Sequence, residues 1–191
     1  MMIAESRKGQ IGGRTVDSTN VGLAGEFYVL AQLAQRGFVA SLTLANTKAV
    51  DILVFNESLD HLFKLEVKTT NQPPRRDKLF SDDLVYSWPM SAKHERVADS
   101  RLFFCFVALQ GPCTLPLFFI VPSSYVADYV REQHLYWQRA RAREGTLTSM
   151  RQFRIRITDP LAFRDNWSLL SGQLPSPHQA KLSEPWFSHD A

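Results

Sequence analysis

Residues 49–71 have the sequence AVDILVFNESLDHLFKLEVKTTN, in which two short apolar runs flank a polar turn. Both runs are rich in β-branched and aromatic residues, which predicts two neighbouring strands. Asp51 opens the first run, and Glu66 and Lys68 interrupt the second. Because side chains alternate between the two faces of a strand, Glu66 and Lys68 share one face. If the strands pair, Asp51 reaches that face, and two carboxylates and an ammonium group meet on one patch of sheet.

A patch of this kind is unfavourable unless its charges are compensated. Removing a charge from water costs several kcal/mol unless the group is paired or holds a metal. Two close carboxylates form a hard oxygen site that suits Mg²⁺ or Mn²⁺. A lysine beside them positions or deprotonates a water molecule, or stabilises a developing anion. The alternative interpretation is a solvated strand face with an ordinary Glu–Lys ion pair.

A third carboxylate lies in the first predicted helix, over residues 21–36, with Asn20 as its N-cap and Gly37 as its C-terminal stop. With residues placed about 100° apart on a helical wheel, Glu26 falls in the middle of the apolar face. A glutamate that faces the core needs a partner. We expect it to point over the sheet at the site of the strand carboxylates. The alternative is a glutamate satisfied by Arg36 or by a backbone donor.

The whole chain predicts one domain over residues 20–170, between a loose arm (1–19) and a C-terminal tail (171–191). A length of 191 residues and a hydrophobic fraction of 45% suffice for a packed core. A hairpin formed by two strongly apolar strands is expected to be its deepest part. The further predicted elements are strands at 38–44, 84–88, 101–109, 117–121 and 153–157, and helices at 91–100, 125–142 and 159–170.

Composition narrows the functional class. The net charge of +3 and the pI near 9.0 permit an anionic partner without demanding one. Cys105 and Cys113 lack metal-ligand spacing, which favours reduced thiols and a cytoplasmic location. No apolar run reaches the ~18 residues of a membrane span. A Ser or Cys hydrolase and a zinc site are unsupported, because no GxSxG motif is present and the five histidines show no pairing that the sequence establishes.

Basic residues follow the second charged strand. Arg75, Arg76 and Lys78 come after two prolines that end the strand, so they would lie beside the charged patch. They form either a phosphate-contacting loop or a solvated turn. Lys93 is a further candidate nucleic-acid contact, since it lies with His94 on the polar side of the predicted helix at 91–100.

The order of these motifs resembles that of the PD-(D/E)xK, or restriction endonuclease-like, nuclease superfamily. The opening helix, GEFYVLAQLAQRGF at residues 25–38, is similar to that of archaeal Holliday junction resolvases and related small nucleases. One departure is Val50, which stands where the superfamily motif has proline. The motifs that carry the resemblance are Gly25-Glu26 in the helix, Val50-Asp51 at the start of one strand, and Glu66-Val67-Lys68 in the next.

The resemblance implies an α/β fold with an αβββαβ core, in which helices flank a mixed central sheet. It also implies divalent-metal-dependent hydrolysis of phosphodiester bonds in DNA. Asp51 and Glu66 would hold Mg²⁺ or Mn²⁺, helped by the carbonyl of Val67, and Lys68 would orient or activate the attacking water. Glu26 would complete the metal site or hold a second ion. Because close carboxylates repel each other, at least one should have a raised pKa without metal.

The sequence also allows two alternatives to a DNA nuclease. A non-catalytic nucleic-acid-binding or protein-interaction module on the same fold is one alternative to a DNA nuclease. An RNA-directed or toxin-type nuclease, or an immunity partner, is another. The resemblance also implies a homodimer, for which the aromatic stretch 125–137 is a candidate face, and core packing of that helix is its alternative.

Overall fold

The computed structural model describes residues 16–43, 50–55, 60–141 and 150–171, which form two sheets and two long helices. Three short 3-10 helices, Lys78–Phe80, Ala92–Arg96 and Trp167–Leu170, connect or close these elements. The helices and strands are α1 (Ser18–Gln35), β1 (Val39–Leu42), β2 (Ile52–Phe55), β3 (Leu62–Thr70), β4 (Arg75–Asp77), β5 (Asp83–Met90), β6 (Leu102–Ala108), β7 (Leu117–Pro122), α2 (Ser123–Arg141) and β8 (Arg151–Arg156).

The central sheet is mixed and has the strand order β1-β2-β3-β6-β7. Only β3 and β6 run parallel, and the other neighbours are antiparallel. The predicted α/β class with a mixed central sheet is therefore confirmed. The crossover from β3 to β6 contains β4, β5 and the 3-10 helix Ala92–Arg96, and α2 follows β7. The helix predicted at 91–100 is shorter than expected because the backbone is extended again at Val97.

Two hydrophobic cores lie on the two faces of this sheet. On one face, α1 packs Val29 and Leu33 against Leu65 and Val67 of β3. On the other face, α2 and the small antiparallel sheet β4-β5-β8 cover a core rich in aromatic side chains. All of β6 is buried, so its side chains alternate between the two cores. The predicted β6–β7 hairpin is thus the deepest part of the fold.

The ends of α1 show one prediction wrong and one confirmed. The N-cap is Asp17, whose Oδ1 accepts the backbone N–H of Thr19 at 2.7 Å. The predicted cap, Asn20, lies inside the helix and its side chain donates to Asp17. Asp17 is the N-cap because its carboxylate accepts the backbone N–H groups of Thr19 and Asn20, in the first turn of the helix. Gly37 ends the helix as predicted, with a φ of 80° that favours glycine.

The closing helix predicted at 159–170 is wrong. Its backbone instead pairs with β7, since the N–H of Ile120 donates to the carbonyl of Phe163 at 2.9 Å. Only Trp167–Leu170 is helical, as one 3-10 segment, and Trp167 and Leu170 are buried as expected. Three residues take positive φ angles that no α-helix contains: Asp159, Ala162 and Asp165.

Helix α2 supplies core rather than an open aromatic face at its first turns. Tyr125 and Tyr129 are buried against Phe153. Of the two cysteines, Cys105 is a buried free thiol and Cys113 an exposed one. Within the described ranges, neither helix is long and apolar enough to cross a membrane. Most of the predicted arm, the loop at 44–49, the turn at 56–59 and nearly all of the predicted tail lie outside the described residues.

Helix α1 lies close to β3 at Gly25. A Cβ atom at this position would lie 1.9 Å from Thr69 Oγ1. We therefore expect Gly25→Ala to lower the free energy of unfolding by about 1–3 kcal/mol, because the β-branched threonine cannot move aside freely. Gly22→Ala is the matched control, because its Cβ meets no described atom within 4 Å. The Gly22→Ala variant should gain up to about 1 kcal/mol of stability from better helix propensity. Urea denaturation measures both variants. Equal stabilities of the two would contradict the close approach of α1 to β3 at Gly25.

Candidate active site

Asp51 lies where the central sheet opens. The pairing of β2 with β3 ends at Ile52 and Leu65, but β3 continues to Thr70. The backbone N–H of Asp51 donates to the carbonyl of Leu65 at 2.8 Å. Its Oδ2 then accepts the backbone N–H of Val67 at 2.7 Å. The carboxylate thus takes the place of a neighbouring strand at the free edge of β3.

Glu66 and Lys68 share one face of β3, as the strand alternation predicts. Lys68 Nζ lies 2.7 Å from Glu66 Oε1. The Glu66 side chain is only 2% exposed, whereas that of Lys68 is 27% exposed. The solvated-face interpretation is therefore wrong for Glu66. A buried carboxylate and a lysine that reaches solvent form the centre of the site.

His94 is the residue of this cluster that the sequence analysis placed wrongly. It was expected on the polar side of a helix, yet it is 3% exposed and its Nε2 lies 3.0 Å from Glu66 Oε1. Lys93, from the same 3-10 helix, places Nζ 3.9 Å from that oxygen. A sequence signal exists in the spacing of Ser91 and His94, because the His94 ring accepts the N–H of Ser91 as a capping side chain does.

Glu26 reaches the site from the opposite face of the sheet. The buried stripe of α1 consists of Val21, Gly25, Val29 and Leu33, so the prediction that Glu26 occupies the middle of the apolar face is wrong. Glu26 lies at the margin of that stripe and is partly buried. From there it interacts electrostatically with Asp51 and Lys68. Glu26 thus lies within electrostatic range of Asp51 and Lys68.

The electrostatics of the three carboxylates differ. Burial and the nearby charge of Glu66 raise the pKa of Asp51, although the Val67 N–H and Lys68 oppose the shift. Burial and the charge of Asp51 raise the pKa of Glu26. Burial also disfavours the ionised form of Glu66, but the hydrogen bond from His94 and the charge of Lys68 outweigh it and lower its pKa to about 2. The pKa values of Asp51 and Glu26 are thus raised as expected, although burial and not repulsion between the carboxylates is the largest cause.

The chemistry of these oxygens fits a hard divalent cation. Glu66 Oε1 receives Lys68 and His94, while Oε2 is buried and has no hydrogen-bond partner among the described residues. A buried oxygen without a partner is unfavourable, and a cation would satisfy it. Across the described ranges, however, no three His, Cys, Asp or Glu side chains are arranged to hold one metal ion. An ion at this place would therefore need backbone carbonyls or waters to complete its ligand set.

The predicted basic residues fall into two places. Arg75 and Arg76, on β4, line a groove of about 460 Å³ that begins at Thr70, the last residue of β3. Arg154 lines the same groove and is paired with an aspartate of β4. Lys78 is exposed on the 3-10 helix that follows β4. The groove therefore leads away from the end of the strand that carries the charged site.

Comparison with known proteins agrees with this architecture. No family model and no curated protein matches the chain. The solved structures that match include one described as a bacterial homing endonuclease, I-Ssp6803I, which matches over 81% of this chain and 91% of that chain, with a TM-score of 0.51 and 14% sequence identity. At this identity the likeness concerns the fold alone. This chain therefore shares the mixed α/β fold of a solved homing endonuclease.

Proposed function

We propose that this protein is a divalent-metal-dependent endonuclease that hydrolyses phosphodiester bonds in DNA. The observation that carries the proposal is the buried Glu66 carboxylate, whose Oε2 has no hydrogen-bond partner within the described part of the chain. It lies one residue from the Val67 N–H that binds Asp51 and two residues from Lys68. The fold shared with a solved homing endonuclease supports the same class of activity. The order of motifs, which resembles that of the PD-(D/E)xK superfamily, supports it further.

In this proposal each residue of the site has a separate role. Asp51 and Glu66 would hold Mg²⁺ or Mn²⁺, with the carbonyl of Val67 as a further oxygen ligand. A bound divalent cation neutralises phosphate charge and lowers the pKa of a coordinated water. Lys68, which reaches both Glu66 Oε1 and solvent, orients the attacking water or stabilises the developing charge. Glu26 completes the ligand set or holds a second ion, because it interacts with Asp51 from the α1 side.

A cleavage assay tests this proposal directly. The full chain is incubated with supercoiled plasmid, branched DNA, single-stranded DNA and RNA, with Mg²⁺, with Mn²⁺ or with chelator. We expect a metal-dependent cut in DNA that chelation stops. Cleavage of RNA alone would support the RNA-directed alternative. No cleavage of any substrate at any metal concentration would overturn the nuclease proposal.

The DNA is proposed to follow the groove beyond β3, where Arg75 and Arg76 are exposed. Lys78, exposed after β4, and Lys93, 3.9 Å from Glu66 Oε1, would add phosphate contacts. For the double variant Arg75→Ala/Arg76→Ala we expect weaker DNA binding and a slope of log Kd against log salt that is smaller by about 2, because each lost phosphate contact removes about 0.9. The measurement is a salt titration of DNA binding by fluorescence anisotropy.

The matched control for this experiment is Arg131→Ala. Arg131 is an exposed arginine of α2 that pairs with Asp128 and does not line the groove. Its loss should leave the salt slope unchanged. If Arg131→Ala reduces the slope by as much per charge removed as the double variant does, the contribution is that of net charge alone, and the groove is not the DNA path.

A second candidate is a non-catalytic nucleic-acid-binding module on the same fold. One observation favours it, since Glu66 Oε1 is already paired with Lys68 and hydrogen-bonded to His94, with Lys93 nearby. Such a module would bind DNA without metal, and its binding would survive the loss of Asp51. DNA binding measured with chelator, for the wild type and an Asp51 variant, therefore separates the two candidates.

A further inference from the structure

We propose that His94 is a positioning residue for Glu66. His94 holds one oxygen of the Glu66 carboxylate, so that the other oxygen is left for a divalent cation. The inference rests on the proposed metal-dependent function and assigns to it a residue outside the four that carry the sequence motifs. It concerns a contact between the crossover from β3 to β6 and the centre of β3. The two partners are 28 positions apart in the sequence.

The hydrogen bonds of His94 define which ring nitrogen carries the proton. The backbone N–H of Ser91 lies 3.0 Å from Nδ1, and a backbone N–H can only donate. Nδ1 also lies 3.2 Å from both the carbonyl and the hydroxyl oxygen of Ser91. On the other side of the ring, Nε2 lies 3.0 Å from Glu66 Oε1. Because a carboxylate oxygen can only accept, Nε2 carries a proton and donates it to Glu66.

The ring is also held in place by packing. His94 is 3% exposed and meets the Phe104 ring edge-on, with 5.6 Å between the ring centroids. Phe104 is itself fully buried on β6, directly beside Glu66 in the parallel pairing. An imidazole fixed on both sides in this way allows little rotation of the carboxylate that it binds. Lys68 alone would hold it less firmly, because a flexible lysine keeps its ammonium in contact through many rotamers.

The consequence falls on Glu66 Oε2. With His94 and Lys68 both on Oε1, the Glu66 oxygen left without a donor is Oε2, which is buried and has no hydrogen-bond partner in the described part of the chain. In a histidine–glutamate pair that only stabilised the fold, a buried oxygen without a hydrogen bond would be a cost with no benefit. In a pair that orients a metal ligand, the same oxygen is left open for the cation. Residues that orient a ligand in this way commonly contribute 10- to 100-fold to metal affinity.

Two amide substitutions separate this role from a purely structural one. In His94→Gln, the side-chain amide N–H lies near the place of Nε2–H and still reaches Glu66. In His94→Asn, the shorter amide matches the Nδ1 side of the ring and cannot reach Glu66. The two variants are similar in polarity and size. The comparison therefore isolates the donor to Glu66, and circular dichroism confirms that each variant is folded.

The measurement is Mn²⁺ binding to the full chain by electron paramagnetic resonance, together with the Mg²⁺ dependence of cleavage. We expect His94→Asn to weaken Mn²⁺ binding about 10- to 100-fold. The Mg²⁺ concentration for half-maximal cleavage should rise by a similar factor, with a smaller effect on the rate at saturating metal. His94→Gln should stay within about threefold of the wild type. Val126→Ala, a buried change in α2, is the control for lost stability and should leave Mn²⁺ affinity unchanged.

Each result decides the matter. Wild-type affinity in His94→Asn, or equal losses in the Asn and Gln variants, would overturn the inference. A wild-type protein that binds no Mn²⁺ would overturn it together with the proposed metal site. A protein that binds Mn²⁺ in a His94-dependent manner and cleaves no nucleic acid would support the inference and overturn the nuclease activity, so the two proposals fail separately.

Discussion

Asp51→Asn is expected to reduce metal-dependent DNA cleavage by about 1000-fold or more and, at the same time, to raise the melting temperature of the metal-free protein. The loss of activity follows from the removal of a charged ligand where transition-state charge is stabilised. The gain in stability follows from the raised pKa of Asp51, which burial and the charge of Glu66 cause. Few substitutions at an ordinary surface aspartate would change activity and stability in opposite directions.

The sign of the stability effect follows from linkage. A carboxyl group whose pKa is higher in the folded than in the unfolded state favours folding when it is protonated, and this contribution is lost as pH rises through the folded-state pKa. At neutral pH the ionised Asp51 is therefore unfavourable in the absence of metal. Asparagine removes that charge and keeps an oxygen that accepts the Val67 N–H. The measurements are single-turnover cleavage with Mg²⁺ and thermal unfolding with chelator.

Asp99→Asn is the matched control. Asp99 pairs with Lys64 at 2.9 Å, and its hydrogen bond from Lys64 lowers its pKa. The same substitution there should lower the melting temperature slightly and leave cleavage intact. An Asp51→Asn protein that cleaves as the wild type does would overturn the proposed function. One that is less stable than the wild type would show that the negative charge at the site is already balanced without a cation.

Glu66→Ala should lower the free energy of unfolding by about 3–5 kcal/mol, the usual result of removing one partner of a buried ion pair. The variant leaves the buried His94 Nε2–H without its acceptor and Lys68 without its anion. It also opens a cavity beside Phe104. Glu66→Gln is the control, because its amide oxygen still accepts from His94, so it should lose the contribution of the negative charge but not the hydrogen bond or the packing, and should cost less than the alanine variant. Urea denaturation at pH 7 measures both, and equal stabilities for wild type and Glu66→Ala would contradict the buried pairing.

The same carboxylate predicts how stability changes in acid. The pKa of Glu66 is lowered from 4.5 to about 2 in the folded protein. A depressed pKa contributes stability that is complete above the unfolded value and lost as pH falls through the folded value. The contribution, about 3 kcal/mol from this shift, should disappear between pH 4.5 and about pH 2. Glu66→Gln should lack that loss, so its stability should approach that of the wild type as the pH falls.

The features of the site that could be predicted from the sequence are those that depend on residues close together in the chain. Glu66 and Lys68 lie on one strand, and alternation along a strand is a local rule with a period of two. Their shared face was therefore predictable, as was the stop at Gly37, which depends on one residue's φ angle. The position of Asp51 at the start of the neighbouring strand followed from the short turn between the strands.

The errors concern relations between distant segments. The wheel for α1 contained more apolar residues than one stripe can bury, and Leu23 is 42% exposed in the structure. The stripe that is buried was selected by the close contact of Gly25 with Thr69, which no periodicity shows. Likewise, the segment at 159–170 had helix-like composition, but its backbone found partners in β7. In both cases tertiary contacts overrode a local pattern that was only weakly specific.

By itself, then, the sequence determined the strand pair, its two-residue spacing of acid and base, and the class of fold. Only the tertiary structure decided that His94 turns inward to Glu66, that Glu26 comes from the other face, and that Asp51 closes the free edge of β3. The physical reason is that the spacing of side chains along a strand is a property of the local backbone. The partner of a buried charge, in contrast, depends on which distant segment packs against it. That choice depends on the packing of the crossover and of α1, which short-range patterns do not encode.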